Sequence, residues 1–292
     1  MRHTLFALLA STSFIATPGV AQDLAAASMT TATASAAEVP AEAEELAAAD
    51  IVIFGRGQTR QVQELDNDQI TILTPGTSPL KAIEKLPSVS VQNADPFGMY
   101  EWAQRVSIRS FNQNQLGFTF DGIPLGDMSY GNHNGMHVSR AVSSENVGSV
   151  RVSQGAGSIG TQSTNNLGGT IETFSMDPEK RFSASGGGTY GSDNTIRLFG
   201  RVNAGSETGP RGYISYGFAT TDKWRGDGEQ RQHMINAKAV VPIGAAELDG
   251  WFGYSDRREQ DYQDMSLDLI ERLGWRWDNS FPDWQRAAKA AE

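Results

Sequence analysis

Downstream of residue 180 one pattern recurs five times, and it restricts the fold more than any other feature of the chain. Phe182, Ala184, Gly186, Gly188 and Tyr190 alternate with Ser183, Ser185, Gly187 and Thr189. Ile196, Leu198, Gly200 and Val202 alternate with Thr195, Arg197, Phe199 and Arg201. The same holds for Ile214–Tyr216–Phe218, for Ile235–Ala237–Ala239–Val241 and for Leu248–Gly250–Phe252–Tyr254. A period of two is that of a strand, because successive side chains point to opposite faces. Each run is about nine residues long, enough for a tilted strand to cross a bilayer with one mostly apolar face. Arg197 and Lys238 fall on the other face, where water tolerates them and lipid would not.

The connections between runs also differ in kind. If the first strand ascends from the inner side, GSDN (191–194), TDKWRGDGEQRQ (221–232) and the segment from Asp256 are outer loops. NAGSETGPRG (203–212) and PIGA (242–245) are then inner turns. A soluble sandwich shares the alternation, so an exported, non-transporting adhesion or ligand-binding β module is the alternative reading.

Composition narrows the function classes. The 292 residues carry 24 basic and 34 acidic side chains, a net charge of −10 that argues against a nucleic-acid surface. Without cysteine there is no disulfide framework and no thiolate metal site. No eighteen-residue apolar run follows the first twenty positions, so no helix of the mature chain is expected to span a membrane. The 31 glycines suit turn-rich β architecture.

The first 21 residues read as a signal peptide. Arg2 and His3 precede an apolar run, LFALLASTSFIA (5–16), and Gly19-Val20-Ala21 supplies small residues for cleavage. Residues 22–49 are alanine-rich and lack aromatics, the composition of a flexible tether. At residues 50–57 the texture changes abruptly: Ile51, Val52, Ile53 and Phe54 stand together before Gly55. Such an apolar segment on a tether can add a strand to the exposed sheet edge of another protein.

Residues 58–178 look like a small α+β module. QITILT (69–74) is a strand candidate, and Ser78-Pro79 opens a short helix with Leu80, Ile83 and Leu86 on one face and Pro87 as the stop. Val89–Val91 is a further short strand. Residues 105–173 then alternate β-type runs (RVSIRSF, LGFTFDGIPL, VGSVRVSQ, GGTIET) with Gly- and Asn-rich turns. Asp121-Gly122 suits a tight turn between two of them. The run Gly155-Ala156-Gly157-Ser158-Ile159-Gly160 has the spacing of a dinucleotide fingerprint. That site needs a helix opening at the last glycine, whereas TQSTNNLGGT follows. No cofactor is expected, and no nucleophile elbow, metal set or phosphate loop stands elsewhere.

Three segments in order resemble the plug domain of TonB-dependent outer-membrane receptors. LKAIEKLPSVSV (80–91) is similar to the family helix ending in Leu-Pro-Gly-Val-x-Val, with Ser88 at the glycine. VSIRSF…GFTFDGIPL (106–125) is similar to the family's Ile-Arg-Gly-Phe and Asp-Gly-Val/Ile-Pro pair, with Ser110 at a glycine. Gly155, Gly160, Gly168 and Gly169 match the family's glycine-rich crossing in spacing, although the Arg-Gly-Pro start and a tyrosine are missing. Serine at 88 and 110 is expected to avoid glycine-only backbone regions.

The resemblance implies a plug at 58–178 followed, over 179–292, by the opening strands of a 22-stranded barrel, incomplete here. It implies a TonB box at Ile51, Val52, Ile53, Phe54 and Gly55, with the TonB C-terminal domain and outer-membrane lipid as partners. It implies energised uptake of a siderophore, vitamin or glycan and no enzyme activity. Plug loops in the family touch substrate, so Tyr130, His133 and His137, with Phe97, Tyr100 and Trp102, are candidate contacts. Asp261 and Asp264 are expected to be solvated in an outer loop.

Overall fold

Asp66 decides how the described part of the chain begins. Its carboxylate accepts the Gln69 amide at 3.0 Å, while Gln69 Oε1 accepts the Asp66 amide at 3.2 Å. This reciprocal capping box turns strand β1 (Val62–Asp66) into helix α1 (Asn67–Thr71). The expected strand at 69–74 is therefore wrong: the cap overrides the β-branched composition, burying Ile70 and leaving Ile72 in solvent. The computed structural model describes residues 62–278, apart from positions 96, 99, 127, 129–134, 156–159 and 164, and beyond 278 only positions 285 and 288. The signal segment, the tether, residues 51–55, Tyr130 and His133 lie outside the described residues.

Helix α2 (Pro79–Ala82) starts with proline in its first turn and continues as a 3₁₀ turn, Ile83–Lys85, before Pro87. Leu80 and Ile83 are fully buried, as their spacing predicts. Strands β2 (Val89–Gln92) and β3 (Arg105–Ile108) form a separate antiparallel pair. Next come β4 (Gly117–Phe120), β5 (Ile123–Pro124), α3 (Val138–Ala141), β6 (Val147–Gln154) and β7 (Gly169–Ser175). A five-stranded sheet in the order β1-β6-β7-β4-β5 organises the module, with β4 and β7 parallel. Its core collects Leu80, Ile83, Ile108, Val150, Val152 and Ile171.

Backbone requirements explain several turn residues. Asp121 and Gly122 hold φ of 47° and 78°, the two positive values that a tight mirror-image hairpin turn demands. After Gly160 the chain runs through open turns into β7 rather than into a helix. Gly169 sits at φ 134°, where a Cβ would stand 2.3 Å from the Ser153 carbonyl oxygen. Gly168 is likewise closely packed, a Cβ there standing 2.3 Å from the Phe111 side chain, whereas residues 156–159 lie outside the described residues. Ser88 and Ser110 depart from expectation, holding φ of 62° and 68° in the small left-handed region that glycine ordinarily fills.

The second sheet runs β8 (Ser183–Tyr190), β9 (Ile196–Gly205), β10 (Arg211–Asp222), β11 (Glu229–Ile243) and β12 (Ala246–Glu259), each antiparallel to its sequence neighbour. Among the described residues it stays open, with β8 and β12 at its edges. The strands outrun the apolar runs that announced them. Pairing continues to Asp222↔Glu229 and Ile243↔Ala246, so the loops expected at 221–232 and 242–245 shrink to 223–228 and 244–245. Polar ladder residues carry no hydrophobic period, which is why sequence pattern stops short of them. A last helix, α4 (Leu267–Leu273), follows β12.

The sidedness of this sheet is the reverse of a soluble one. Leu198, Val202, Ile214, Tyr216 and Phe252 are exposed, with Ile214 at 59% and Phe252 at 51%. Arg197, Asn203, Ser215, Asn236 and Lys238 are buried on the other face, against the module. Apolar residues point out and polar ones point in, along the division that the alternation predicts.

Candidate functional site

The inward face of β9–β12 meets the module along a polar seam. Asn146 closes a 3₁₀ turn, Ser144–Asn146, before β6. Its Nδ2 donates to Ser215 Oγ at 2.7 Å and to Asn236 Oδ1 at 3.1 Å. Asn236 Oδ1 also accepts the Ser143 amide at 2.9 Å, and its Nδ2 donates to the Ala141 carbonyl at 3.3 Å. Two amide side chains thereby satisfy one another and two main-chain groups where water cannot reach, as buried polar groups require.

Charges flank these amides. Arg197 on β9 pairs with Glu145, Nη2 to Oε2 at 2.7 Å. Arg201 donates to the Glu145 carbonyl at 2.9 Å. Lys238 on β11 reaches Asp177 at 2.9 Å. Both strand cations named from sequence therefore face the module.

The densest cluster centres on Glu101, in the 3₁₀ turn Glu101–Ala103. Its carboxylate takes Arg140 Nε at 2.7 and 2.9 Å, and Arg257 Nη1 of β12 stands 3.4 Å from Oε2. Arg257 also pairs with Glu259 at 3.3 Å and donates to Gln232 Oε1 at 2.8 Å. Burial alone would push the Glu101 carboxyl up; the hydrogen bond from Arg140 and the charges of Arg257 and Arg140 win and hold it below the usual range. The same bond raises Arg140, against its desolvation.

His137 caps α3: its Nδ1 accepts the Ser139 amide at 3.2 Å. Full burial, with Arg257 and Arg140 nearby, pulls the imidazole down to about 3 despite Glu101, so it is neutral.

The aromatic loop is placed by Asp95, which accepts the Phe97 and Tyr100 amides at 3.1 and 3.0 Å. Tyr100 is 1% exposed; its hydroxyl bonds Asp261 and accepts the Tyr262 amide at 3.3 Å. Asp261 is thus a partner of the module, correcting its expected role as a solvated loop acid. Trp102 is half-buried and its carbonyl accepts Arg105 Nη1 at 2.5 Å. Phe97 lines a cleft with Asp95, Thr195, Gln230, Arg257 and Glu259. As folded, Tyr100 and His137 are interior, while Phe97 borders open space.

Above this loop, Trp224 stacks between Tyr262 and Trp275, with ring centroids 6.2 and 6.0 Å away. Lys223 and Asp278 form a fully buried pair at 2.9 Å that ties the 223–228 turn to the segment after α4. Burial pushes the Tyr262 phenol up to about 12. Sequence reading missed Glu101, Arg140, Asn146 and Arg257. The parity of β11 and β12 could have placed Asn236 and Arg257 on the inner face, but nothing local marked Glu101 or Asn146 as their partners.

The family model of the TonB-dependent receptor plug domain matches residues 55–170. Residues 55–170 are a TonB-dependent receptor plug domain. Around this plug the β8–β12 sheet supplies the opening antiparallel strands of an incomplete barrel. Solved structures share the fold. The ferric enterobactin receptor of Pseudomonas aeruginosa superposes with a TM-score of 0.51 at 13% identity, over 68% of this chain and 33% of that one. The pyoverdine outer-membrane receptor FpvA of the same species gives 0.51 at 17%, over 67% and 27%. The siderophore receptor PirA of Acinetobacter baumannii gives 0.50 at 14%, over 70% and 33%. The chain thus spans about a third of the length of these receptors. No curated protein sequence matches it.

Proposed function

We propose that this chain is the plug and first barrel strands of an outer-membrane receptor that takes up a scarce solute with energy delivered through TonB. The observation that carries this reading is the inverted sheet, apolar outward and ion-paired to the plug inward. An open sheet in lipid leaves edge backbone groups unpaired, so β8 and β12 require further strands beside them for membrane residence. Nearest to the plug, the solute meets the aromatic loop, with Phe97 and Trp102 as first contacts and Tyr100 and His137 as the interior side chains behind them; Tyr130 and His133 are further candidate contacts by sequence alone. Siderophores, which the solved neighbours bind by name, stand beside vitamins and glycans as substrate classes.

The TonB box is residues 51–55, presented on the tether to the sheet edge of the TonB C-terminal domain. Two measurements test the proposal. The full-length protein fractionates with outer membranes, and its deletion strain loses growth on one scarce nutrient only while TonB is present. A peptide of residues 45–60 binds the TonB C-terminal domain by calorimetry; no heat at millimolar peptide removes the box assignment. A protein found wholly in the soluble periplasm removes the receptor reading itself.

A further inference from the structure

On the outward face of β11 and β12, directly opposed residues follow one another in a fixed order from the inner turn. Val241↔Leu248, Ala239↔Gly250, Ala237↔Phe252 and Ile235↔Tyr254 come first, then His233↔Asp256, then Arg231↔Arg258. Apolar rows that end on a tyrosine are the wall and aromatic girdle of a membrane strand. Arg231 and Arg258 stand two rows beyond Ile235 and Tyr254, roughly 14 Å further along a tilted strand at about 3.4 Å per residue. On the receptor reading, that height is where headgroups replace hydrocarbon.

These two arginines differ from the others on the sheet. Arg197 is bonded to Glu145, Arg201 to the Glu145 carbonyl, Arg211 to Glu247, and Arg257 to Glu101 and Glu259. Arg231 and Arg258 have no such acceptor among the described residues, and both are exposed. The nearest acids on this face, Asp256 in the row below and Glu229 beside Asp222 in the row above, form no ion pair with either. Arg231 lies over Phe218, its guanidinium carbon 5.8 Å from the ring centroid, which holds it at the level of the girdle. Like charges placed directly opposite one another on adjacent strands repel. An anion from outside the chain relieves that repulsion. Opposed Cβ atoms stand about 5 Å apart, so both guanidiniums reach one tetrahedral oxyanion, to which arginine makes paired N–H···O bonds. At headgroup height the oxyanion that the membrane itself supplies is a lipid phosphate.

We propose that Arg231 and Arg258 form a site on the outer wall of the sheet for the phosphate of an anionic outer-leaflet lipid. This rests on the receptor reading above and adds to it a bound lipid, separate from the transported solute.

The test uses the full-length receptor, purified from outer membranes and stripped of lipid by detergent exchange. It is titrated with lipid A carrying its phosphates, or with the same lipid dephosphorylated, and bound lipid is counted by native mass spectrometry. The wild type is expected to bind the phosphorylated lipid more tightly. Arg231→Gln and Arg258→Gln each weaken that lipid about fivefold, and the double variant binds both lipids alike. Arg211→Gln, ion-paired at the inner end of the sheet, leaves binding unchanged. Both test positions are exposed, so an unchanged outer-membrane yield separates lost binding from misfolding. Displacement of the lipid by a large excess of inorganic phosphate would assign the pair to a soluble anion and overturn the lipid site. Equal binding of the two lipids by the wild type, or undiminished binding in the double variant, overturns it as well and leaves the receptor reading standing. A wild type absent from outer membranes overturns both.

Discussion

Asn146 of the plug donates through Nδ2 to Oδ1 of Asn236 on β11 at 3.1 Å, and neither residue is accessible to solvent. One amide on the sheet thereby fixes two consecutive features of the plug, the end of α3 through the Ala141 carbonyl and the turn before β6 through the Ser143 amide. Replacing Asn236 by alanine takes the partner from two plug main-chain groups, the Ser143 amide and the Ala141 carbonyl, and leaves Asn146 Nδ2 with Ser215 Oγ alone. The expected loss is about 2–4 kcal/mol of plug stability, at roughly 1–3 kcal/mol for each buried group left unsatisfied and partial relaxation by water. Amide hydrogen exchange in the full-length protein reads it directly: Ser143 exchanges faster in Asn236→Ala, while amides in the β10–β11 ladder do not change.

Two arginines converge on Glu101, one from the plug and one from the sheet. Converting it to glutamine leaves Arg257, whose side chain is 1% exposed, with Glu259 as its remaining carboxylate partner. Breaking a buried pair from one side costs on the order of 3 kcal/mol. The Arg140 share is smaller, since that side chain is 34% exposed and water screens it. Denaturant unfolding of Glu101→Gln should therefore show a clear loss. Glu101→Gln combined with Arg257→Met should recover part of it, because the buried charge that lost one of its carboxylates is gone. A double variant no better than the sum of its singles means the two residues do not interact.

Much of this arrangement is legible in the chain, and the unreadable part has a physical cause. Alternation fixed which strand residues face out, because a buried or lipid-covered face must be uniform; Ile214, Tyr216 and Phe252 fall where the pattern puts them. The turn at Asp121-Gly122 and the helix start at Pro79 follow from backbone chemistry that two residues suffice to declare. The helix at 67–71 was hidden because a capping box outweighs the β preference of Ile70, Thr71 and Ile72. The seam was hidden for a different reason. Asn146 and Asn236 lie 90 positions apart, and Glu101 and Arg257 lie 156 apart. Such partners are chosen by the docking of two sheets, which no local window contains.

His137 gives the seam a pH dependence with a defined sign. Its folded value lies near 3, below the ordinary 6.5, because burial disfavours the charged ring. Between those values the unfolded chain binds a proton that the folded plug does not, so stability falls as pH drops from about 6.5 toward 3. The slope approaches about 1.4 kcal/mol per pH unit for one such group. Glu101, held below its usual value, adds stability that is present above pH 4.5 and is lost as pH falls through its lowered folded value. Acid therefore loosens the plug twice, and His137→Asn, which keeps a cap acceptor, should flatten the upper part of the curve only. Unfolding midpoints of wild type and His137→Asn across pH 7 to 4 check this; parallel curves would remove the histidine from the account.

Ser88 and Ser110 offer the last test, because both side chains are exposed and only the backbone is at stake. At φ of 62° and 68° an L-residue bears about 1–2 kcal/mol relative to glycine. Glycine returns part of this, roughly 0.5–1 kcal/mol, through its greater freedom in the unfolded chain. Ser88→Gly and Ser110→Gly should thus each stabilise the plug by up to about 1 kcal/mol, and valine at either site, stiff at its branched Cβ, should destabilise it by at least as much. The opposite signs at one exposed position exclude a packing explanation. Denaturant midpoints that move the same way for glycine and valine would show that these turns do not hold left-handed backbone.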